Sequence, residues 1–482
     1  MAAKSKSIIG ALGDIVGPEY VLHGPEDLLV FEYDASIDKA VPQAVVLPDT
    51  TEQVAAIVKL ANAYGVPITP RGAGTGLSGG ALAVKGGIVI GTSRMNRLLE
   101  IDPVNQIAVV EPGLVNLKLS EKAAVHGLHY VPDPSSQKTC TIGGNVAENS
   151  GGPHSLAYGV TTNHVLGMEV VMPDGEILWL GGKNQDRPGY DLPGIFVGSE
   201  GTIGVVTKVI VKLTRDPEAI GTMVAVFDQM DQATTAVSTI IASGMIPAAI
   251  EMIDRVAIEA VNPAINAGFP DDADAVLLVE VDGLRESVAE ELEAVQAICH
   301  ELGTREIRVA KSPQERDTLW AARKGAFGAL GRIAPNYYVL DGVVPRTKLP
   351  ETLRRVADIG ARFNFRIANV FHAGDGNLHP CIAFDERIPG ESRRVLEAGA
   401  EVMHACIEFG GSITGEHGVG LEKQSFMGLV FSEEDLAAQE KLRAAFADSE
   451  TFNPCKVFPS RAGCGEGWRL PRLPDLDPDV YI

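Results

Sequence analysis

The sequence predicts an α+β protein of two or three domains, and three observations lead there. The chain has 482 residues, about three times a common domain of ~150, and is ample for a sizeable core. In its first half, short β-branched runs alternate with turn residues and single helices, whereas beyond Asp216-Pro217 longer helical patterns separate the strands. Glycine supplies 52 residues, about 11% against a typical ~7%, and it is gathered into a few loops, which suits backbone shaped around a ligand.

Residues 44–47 form a β-rich run leading into a helix capped at Asp49 or Thr50, with Glu52 or Gln53 in its first turn. Val54, Ile57, Val58 and Ala61 make its apolar stripe, and Gly65 stops it. A short strand follows at 66–69, then alternating strands and turns over 81–112 and a helix at 114–125. Residues 128–215 hold further strands, with a hairpin turn at Pro173-Asp174-Gly175. Beyond a boundary near 216, helices are expected at 231–243, 284–302 and 313–331, and strands at 275–281 and 337–344. The stretch 391–447 reads as mostly helical, and the chain ends in a Pro-rich tail at 453–482.

Composition excludes several classes. With 63 acidic against 41 basic residues the net charge is −22, so nucleic acid and anionic membranes would repel the chain. Hydrophobic content of 45% excludes wholesale disorder. The longest uncharged run, 232–250, contains Gln, Thr, Ser and Pro247 and reads as an amphipathic helix starting near Asp231, not a transmembrane segment. Asp14 interrupts the apolar stretch after Lys4 and Lys6, so no signal peptide is expected and the default location is cytoplasmic. The six cysteines form no C-x-x-C and read as reduced, buried thiols. No iron–sulfur ligand set is present, so electrons from any redox step must leave for another molecule.

Residues 69–80 read TPRGAGTGLSGG. Gly74, Gly76 and Gly79 match G-x-G-x-x-G in form, but Gly80, Gly86 and Gly87 and then a strand follow where a Rossmann fold needs a helix. What survives is a backbone anion nest or a plain glycine turn. Two further segments, VPDPSSQKTCTIGGNVAENSGG (131–152) and GSEGTIGVVT (198–207), pair glycines with small hydroxyl and amide residues. Three such loops within 140 residues exceed what turns alone require and suit close approach to a phosphate or a flat polar ring.

These three motifs resemble the flavin-binding half of the vanillyl-alcohol-oxidase/p-cresol-methylhydroxylase (PCMH) superfamily, and residues 20–460 resemble its D-2-hydroxyacid dehydrogenase branch, in particular the bacterial glycolate oxidase flavoprotein subunits. The resemblance implies an N-terminal segment (1–37), a PCMH-type FAD-binding domain of two α+β subdomains (38–216), an α/β substrate and metal domain with an antiparallel sheet and a helical C-terminal segment (217–458), and a tail (459–482). It implies that Arg71, Gly72, Gly74, Thr75 and Gly76 wrap the FAD pyrophosphate. Pro134, Ser135, Thr141, Gly144, Asn145, Asn149 and Gly152 would line the flavin, with Gly201, Ile203 and Val205 near the adenine end. Some relatives hold the flavin covalently through a His in the first loop; residues 69–80 contain none, so FAD is expected to be non-covalent. Asn453, in FNPCK, resembles the Asn of the family's N-P-G-K that reaches back to the flavin, although Cys455 replaces the Gly.

Residues 371–379 read FHAGDGNLH and 412–420 read SITGEHGVG. A Gly-Asp-Gly turn can fold strand ends back so that His372 and His379 face one centre, and two imidazoles with a carboxylate suit Zn²⁺ or Mn²⁺ with one position open. The resemblance makes His372, His379 and Glu416 the metal ligands and His417 the group facing substrate. The implied reaction oxidises a 2-hydroxyacid to the 2-oxoacid: the metal acidifies the hydroxyl, His417 takes its proton, and the α-hydride passes to flavin N5. Arg323, in a helix reading DTLWAARKG, is the candidate cation for the substrate carboxylate. Relatives acting on D-2-hydroxyglutarate add a Thr one turn after this Arg and a Lys shortly before the Asp matching Asp341; here Phe327 and Tyr338-Val339-Leu340 stand instead, which favours glycolate or D-lactate. Relatives with H-L-N after the second ligand use that Asn on substrate, where this chain has His379-Pro380-Cys381.

The expected electron acceptors are iron–sulfur and second flavoprotein subunits or a quinone, with peripheral attachment at the inner membrane through such subunits as the alternative location. D-lactate or D-2-hydroxyglutarate dehydrogenase of the same family, a non-catalytic flavoprotein scaffold and a metallohydrolase are the competing readings. The scaffold leaves the four-residue metal set without purpose, and the hydrolase leaves the glycine loops unexplained.

Overall fold

A computed structural model describes residues 7–184, 188–447 and 451–459; the Pro-rich tail beyond them lies outside this range. The helix Thr51–Tyr64 shows how local sequence builds the first half. Thr50 caps it, its hydroxyl accepting the Gln53 N–H at 3.3 Å, and Gly65 ends it in left-handed backbone with φ +64°. Its stripe of Val54, Ile57, Val58 and Ala61 is buried against Leu12 and Val16 of a helix at Ile8–Val16 and against Val46, Ile68, Ile88 and Ile90. Those last four belong to a sheet ordered Val21–Leu22, Ala44–Val46, Ile88–Gly91, Ile68–Arg71, parallel except for its first pair. No helix intervenes between Arg71 and Ile88, as the run of glycines requires.

A second, antiparallel sheet runs Leu98–Asp102, Ile107–Val110, Val205–Lys212, Val165–Val171, Ile177–Gly181, with the expected hairpin at 173–175 and Gly175 at φ +80°. The loop 131–152 contains a helix, Ile142–Glu148, that Gly143 and Gly144 hide from a propensity reading. Thr141 caps it, and Asn149 ends it at φ +53°.

Beyond 216 a nine-stranded antiparallel sheet takes over, its central order Glu306–Val309, Ala219–Phe227, Ala275–Gly283, Ala249–Asp254, Arg366–His372. Alternation along Ala219–Phe227 sends Met223 and Ala225 to a core under helices Met230–Ala242 and Arg285–Glu301, and Val224 and Val226 to a core under Arg255–Ile265 and Pro313–Lys324. Two expected elements are interrupted. The helix at 313–331 breaks at Gly325, and the strand at 337–344 splits into Asn336–Val339 and Gly342–Val343 around Asp341. The segment 391–447 is helical at Glu391–Glu408 and Glu433–Ala444, but 411–420 is a loop carrying Glu416 and His417. Among the described residues no helix is long and apolar enough to cross a membrane. Cys140, Cys299, Cys381 and Cys406 are buried and free, whereas Cys455 is disulfide-bonded, contrary to the expectation of six reduced thiols.

Candidate active site

One cavity of about 310 Å³ is walled by all three glycine loops and extends to His379, Glu416 and His417. Its wall includes Arg71, Gly72, Gly74, Thr75 and Gly76, then Pro134, Ser135, Thr141, Gly144 and Asn145, and also Gly201 and Val205. Four expected residues stand elsewhere. The Asn149 side chain accepts the Thr162 N–H at 2.9 Å, Gly152 packs on the backbone of Asp133, and Ile203 joins the core of the second sheet. Asn453 reaches not to the cavity but to the carbonyls of Gly80 (2.9 Å) and Glu200 (2.7 Å), tying two glycine loops to the C-terminal segment. At Cys455 the backbone has φ +64°, the left-handed region where a Gly would sit without strain.

The cavity suits an anionic, flat ligand. A Cβ on Gly72 would lie 2.5 Å from Thr141 Oγ1, and one on Gly74 would lie 2.2 Å from Arg71 Nη2, so bare backbone is required at both. Arg71 is buried; Nη2 donates to Tyr33 O at 2.7 Å while Nη1 has no hydrogen-bond partner. A buried guanidinium donor left unpaired beside such a loop can pair with an anionic group.

At the far end the strand Arg366–His372 turns through Gly374-Asp375-Gly376 and returns with His379. His372 Nε2 lies 3.0 Å from Glu416 Oε1, and His379 Nε2 lies 3.4 Å from the same oxygen. Ligands about 2.0–2.1 Å from a tetrahedral ion are about 3.3 Å apart, so these spacings fit a divalent cation. Neither nitrogen of His379 has a hydrogen-bond partner although the residue is buried, which agrees with a ligand role.

His417 stacks on His379 with ring centroids 4.8 Å apart and planes at 11°. Burial lowers its pKa to about 4, with His379 and Lys423 adding to the effect and Asp341 opposing it, so the imidazole is neutral near pH 7. Asp341 shapes the segment carrying it. Its carboxylate accepts the Thr414 hydroxyl (2.6 Å), the Gly415 and His417 N–H groups (3.0 and 2.9 Å), the Asn377 amide (2.6 Å) and the Lys423 ammonium (3.2 Å).

Arg323 is 1% exposed and does not itself line the cavity. Its Nε is 2.6 Å from Glu251 Oε2, while Nη1 and Nη2 make no hydrogen bond. Glu251 also accepts His372 Nδ1–H at 2.7 Å, so one buried carboxylate serves both residues. Although burial disfavours its ionised form, Arg323 and His372 hold its pKa below the usual range. Sequence reasoning missed Glu251, and it missed Glu148 and Glu200 on the cavity wall. Glu200 accepts the N–H groups of Val419 and Gly420, each at 2.7 Å, and so joins the third glycine loop to the segment holding Glu416 and His417. Its place in G-S-E-G was the available signal; Glu251 lies in an ordinary strand and offered none.

Residues 42–181 match the family described as FAD binding domain, and residues 216–457 match FAD linked oxidases, C-terminal domain. The glycolate oxidase subunit GlcD of Escherichia coli (strain K12) is 45% identical over 95% of this chain and 92% of its own length. The chain belongs to the FAD-linked oxidase family. D-lactate dehydrogenase of Anaerostipes hadrus is 32% identical over 92% of this FAD-linked oxidase and 95% of its own length. The fold is that of p-cresol methylhydroxylase, with TM-score 0.79 at 17% identity over 93% of this chain and 96% of that one. This FAD-linked oxidase is therefore an α+β flavoprotein oxidoreductase.

Proposed function

We propose that this FAD-linked oxidase converts a short 2-hydroxyacid, glycolate or D-lactate, to the 2-oxoacid. The observation that carries the reading is the convergence of His379, Glu416 and neutral His417 at the end of the glycine-walled cavity, with His372 and Arg323 joined behind them by Glu251. In this reading 38–216 hold FAD non-covalently and 217–458 hold substrate and metal.

His417 serves as the base that receives the hydroxyl proton, because its unprotonated form dominates at neutral pH. The two free terminal nitrogens of Arg323 match the fork of a carboxylate, and pairing them would satisfy donors that are otherwise buried unmet. Phe327, Tyr337 and Val339 form the neighbouring wall. They offer no cation to a second carboxylate, whose burial unpaired would cost several kcal/mol, so a short monocarboxylate is favoured over D-2-hydroxyglutarate. His372, His379 and Glu416 would hold Zn²⁺ or Mn²⁺. When bound, FAD supplies the two-electron acceptor and the divalent ion acidifies the substrate hydroxyl.

The relatives named as glycolate oxidase subunits support the presence of partner subunits. In this reading electrons pass to iron–sulfur and second flavoprotein subunits or to a quinone, with the protein cytoplasmic or held at the inner membrane by such partners.

The test is anaerobic bleaching of the flavin by glycolate, D-lactate, L-lactate and D-2-hydroxyglutarate, each with and without prior chelation. Bleaching by glycolate or D-lactate, lost on chelation and restored by Zn²⁺ or Mn²⁺, is expected. A flavoprotein that no hydroxyacid reduces, or whose dye-reduction rate is unchanged by His417→Ala, would overturn the reading in favour of a scaffold.

A further inference from the structure

The helix Pro313–Lys324 carries Arg316, Trp320, Arg323 and Lys324 along one face. Each meets an acid from another part of the chain. Arg316 grips Glu280 through Nε (2.8 Å) and Nη2 (2.7 Å), and Trp320 Nε1 donates to Glu280 Oε2 at 2.7 Å. Arg323 pairs with Glu251, and Lys324 Nζ donates to Asp133 Oδ2 at 3.3 Å. Glu280 and Glu251 stand on adjacent strands of the nine-stranded sheet, whereas Asp133 belongs to the second glycine loop, directly before Pro134 and Ser135 of the cavity wall.

His154 completes the connection. Its Nδ1 lies 3.0 Å from Asp133 Oδ2, its Nε2 lies 3.3 Å from Glu280 Oε1, and its ring stacks on Trp320 with centroids 5.5 Å apart and planes at 29°. A single imidazole thus touches the glycine loop, the sheet and the helix that bears Arg323. Burial disfavours its cation, but Asp133 and Glu280 outweigh burial and raise its pKa to about 10, so the contact is ionic. Two residues earlier, Gly152 has φ +155°, and a Cβ there would lie 2.7 Å from the carbonyl carbon and oxygen of Asp133, so the two segments meet backbone to backbone.

We propose that His154 is a positioning residue that clamps the glycine loop at Asp133, the sheet at Glu280 and the Arg323 helix at Trp320, so that FAD binding and substrate-carboxylate binding strengthen each other. The proposal rests on the reading of Arg323 as the carboxylate-binding residue. FAD in the cavity fixes the loop at 133–136, the loop fixes His154, and His154 holds the helix that aims Arg323. Linkage then requires the factor by which FAD tightens the acid to equal the factor by which the acid tightens FAD.

The full-length protein tests this, with pyruvate as the unreactive oxo-acid probe. FAD affinity is measured with and without pyruvate, and KM and kcat are measured with D-lactate. The wild type is expected to show mutual tightening of at least about fivefold. In His154→Gln that factor falls below twofold and KM rises more than kcat falls. Trp320→Phe, which keeps a ring for the stack but loses the indole N–H, falls between them and serves should His154→Gln not fold. Wild-type coupling in both variants would overturn the proposal. So would an equal loss in Tyr158→Phe, which removes the 2.6 Å bond from Tyr158 to Asp282 without touching the helix, since His154 would then act only as structural glue. Arg323→Met separates the two readings: unchanged pyruvate affinity there sinks the role of Arg323, whereas weakened affinity there with unchanged coupling in His154→Gln sinks the clamp alone.

Discussion

The carboxylate of Asp341 receives the backbone N–H of His417 at 2.9 Å while pairing with the buried Lys423 ammonium at 3.2 Å. The geometry of the candidate base is therefore set by an acid that lies outside the cavity wall, and the surrounding loop has little regular structure of its own to hold it.

Asp341→Asn removes the charge and leaves Lys423 buried without its counter-ion. Breaking a buried pair in this way costs about 3–5 kcal/mol, so the thermal midpoint falls and kcat/KM drops more than tenfold. Adding Lys423→Met in the same chain restores part of the stability but not the activity. Differential scanning calorimetry with steady-state kinetics checks both, and additive stability losses would show that the pair is not coupled.

Glu251→Gln keeps an acceptor for His372 but strips Arg323 of its partner. Acids that orient a ligating imidazole typically contribute 10–100-fold to metal affinity, so zinc binding by the metal-free protein should weaken by about that factor. Equilibrium dialysis reads this independently of turnover, with FAD content as the internal control. Unaltered zinc affinity would remove Glu251 from the metal's support.

Gly74→Ala places a side chain where φ is +71° and where Arg71 Nη2 already stands 2.2 Å from the new Cβ. The backbone strain is about 1 kcal/mol, and displacement of Arg71 adds to it at the cavity wall. The purified variant should retain less than a tenth of the wild-type flavin, read from its visible absorbance. Ala at Gly65 has the same left-handed backbone with open space around it, and should cost stability without loss of flavin.

The clamp around His154 should also give stability a defined pH dependence. Its pKa is raised to about 10, so its contribution is complete below the unfolded value near 6.5 and disappears as pH climbs through about 10. Asp133 and Glu280 are ionised more readily than in the unfolded chain despite burial, because His154 and, for Glu280, Arg316 outweigh it. Their contribution is complete above about pH 4 and is lost in acid. Arg316, whose pKa is raised by its pairing with Glu280, keeps its charge across this range. The difference in stability between wild type and His154→Gln should be greatest between about pH 4.5 and 6.5 and should shrink toward pH 10, which unfolding midpoints measured across that range would reveal.

Sequence alone determined what local pattern can encode. The period and caps of Thr51–Tyr64 are complete within that stretch, the glycines of 69–80 lead into a strand-like run and not a helix, and the Gly-Asp-Gly turn brings His372 and His379 together within eight residues. Tertiary structure decided which distant partners face those groups. Glu251 meets His372 because their two strands pair in a register that sets them opposite, 121 positions apart, and a shift of one residue would send the acid to the other face of the sheet. The helix Ile142–Glu148 forms despite two glycines because Ile142 and Val146 are buried in a core that outweighs propensity. Asn453 leaves the cavity for two backbone carbonyls, since buried polar groups must find partners and only the assembled loops supply them there.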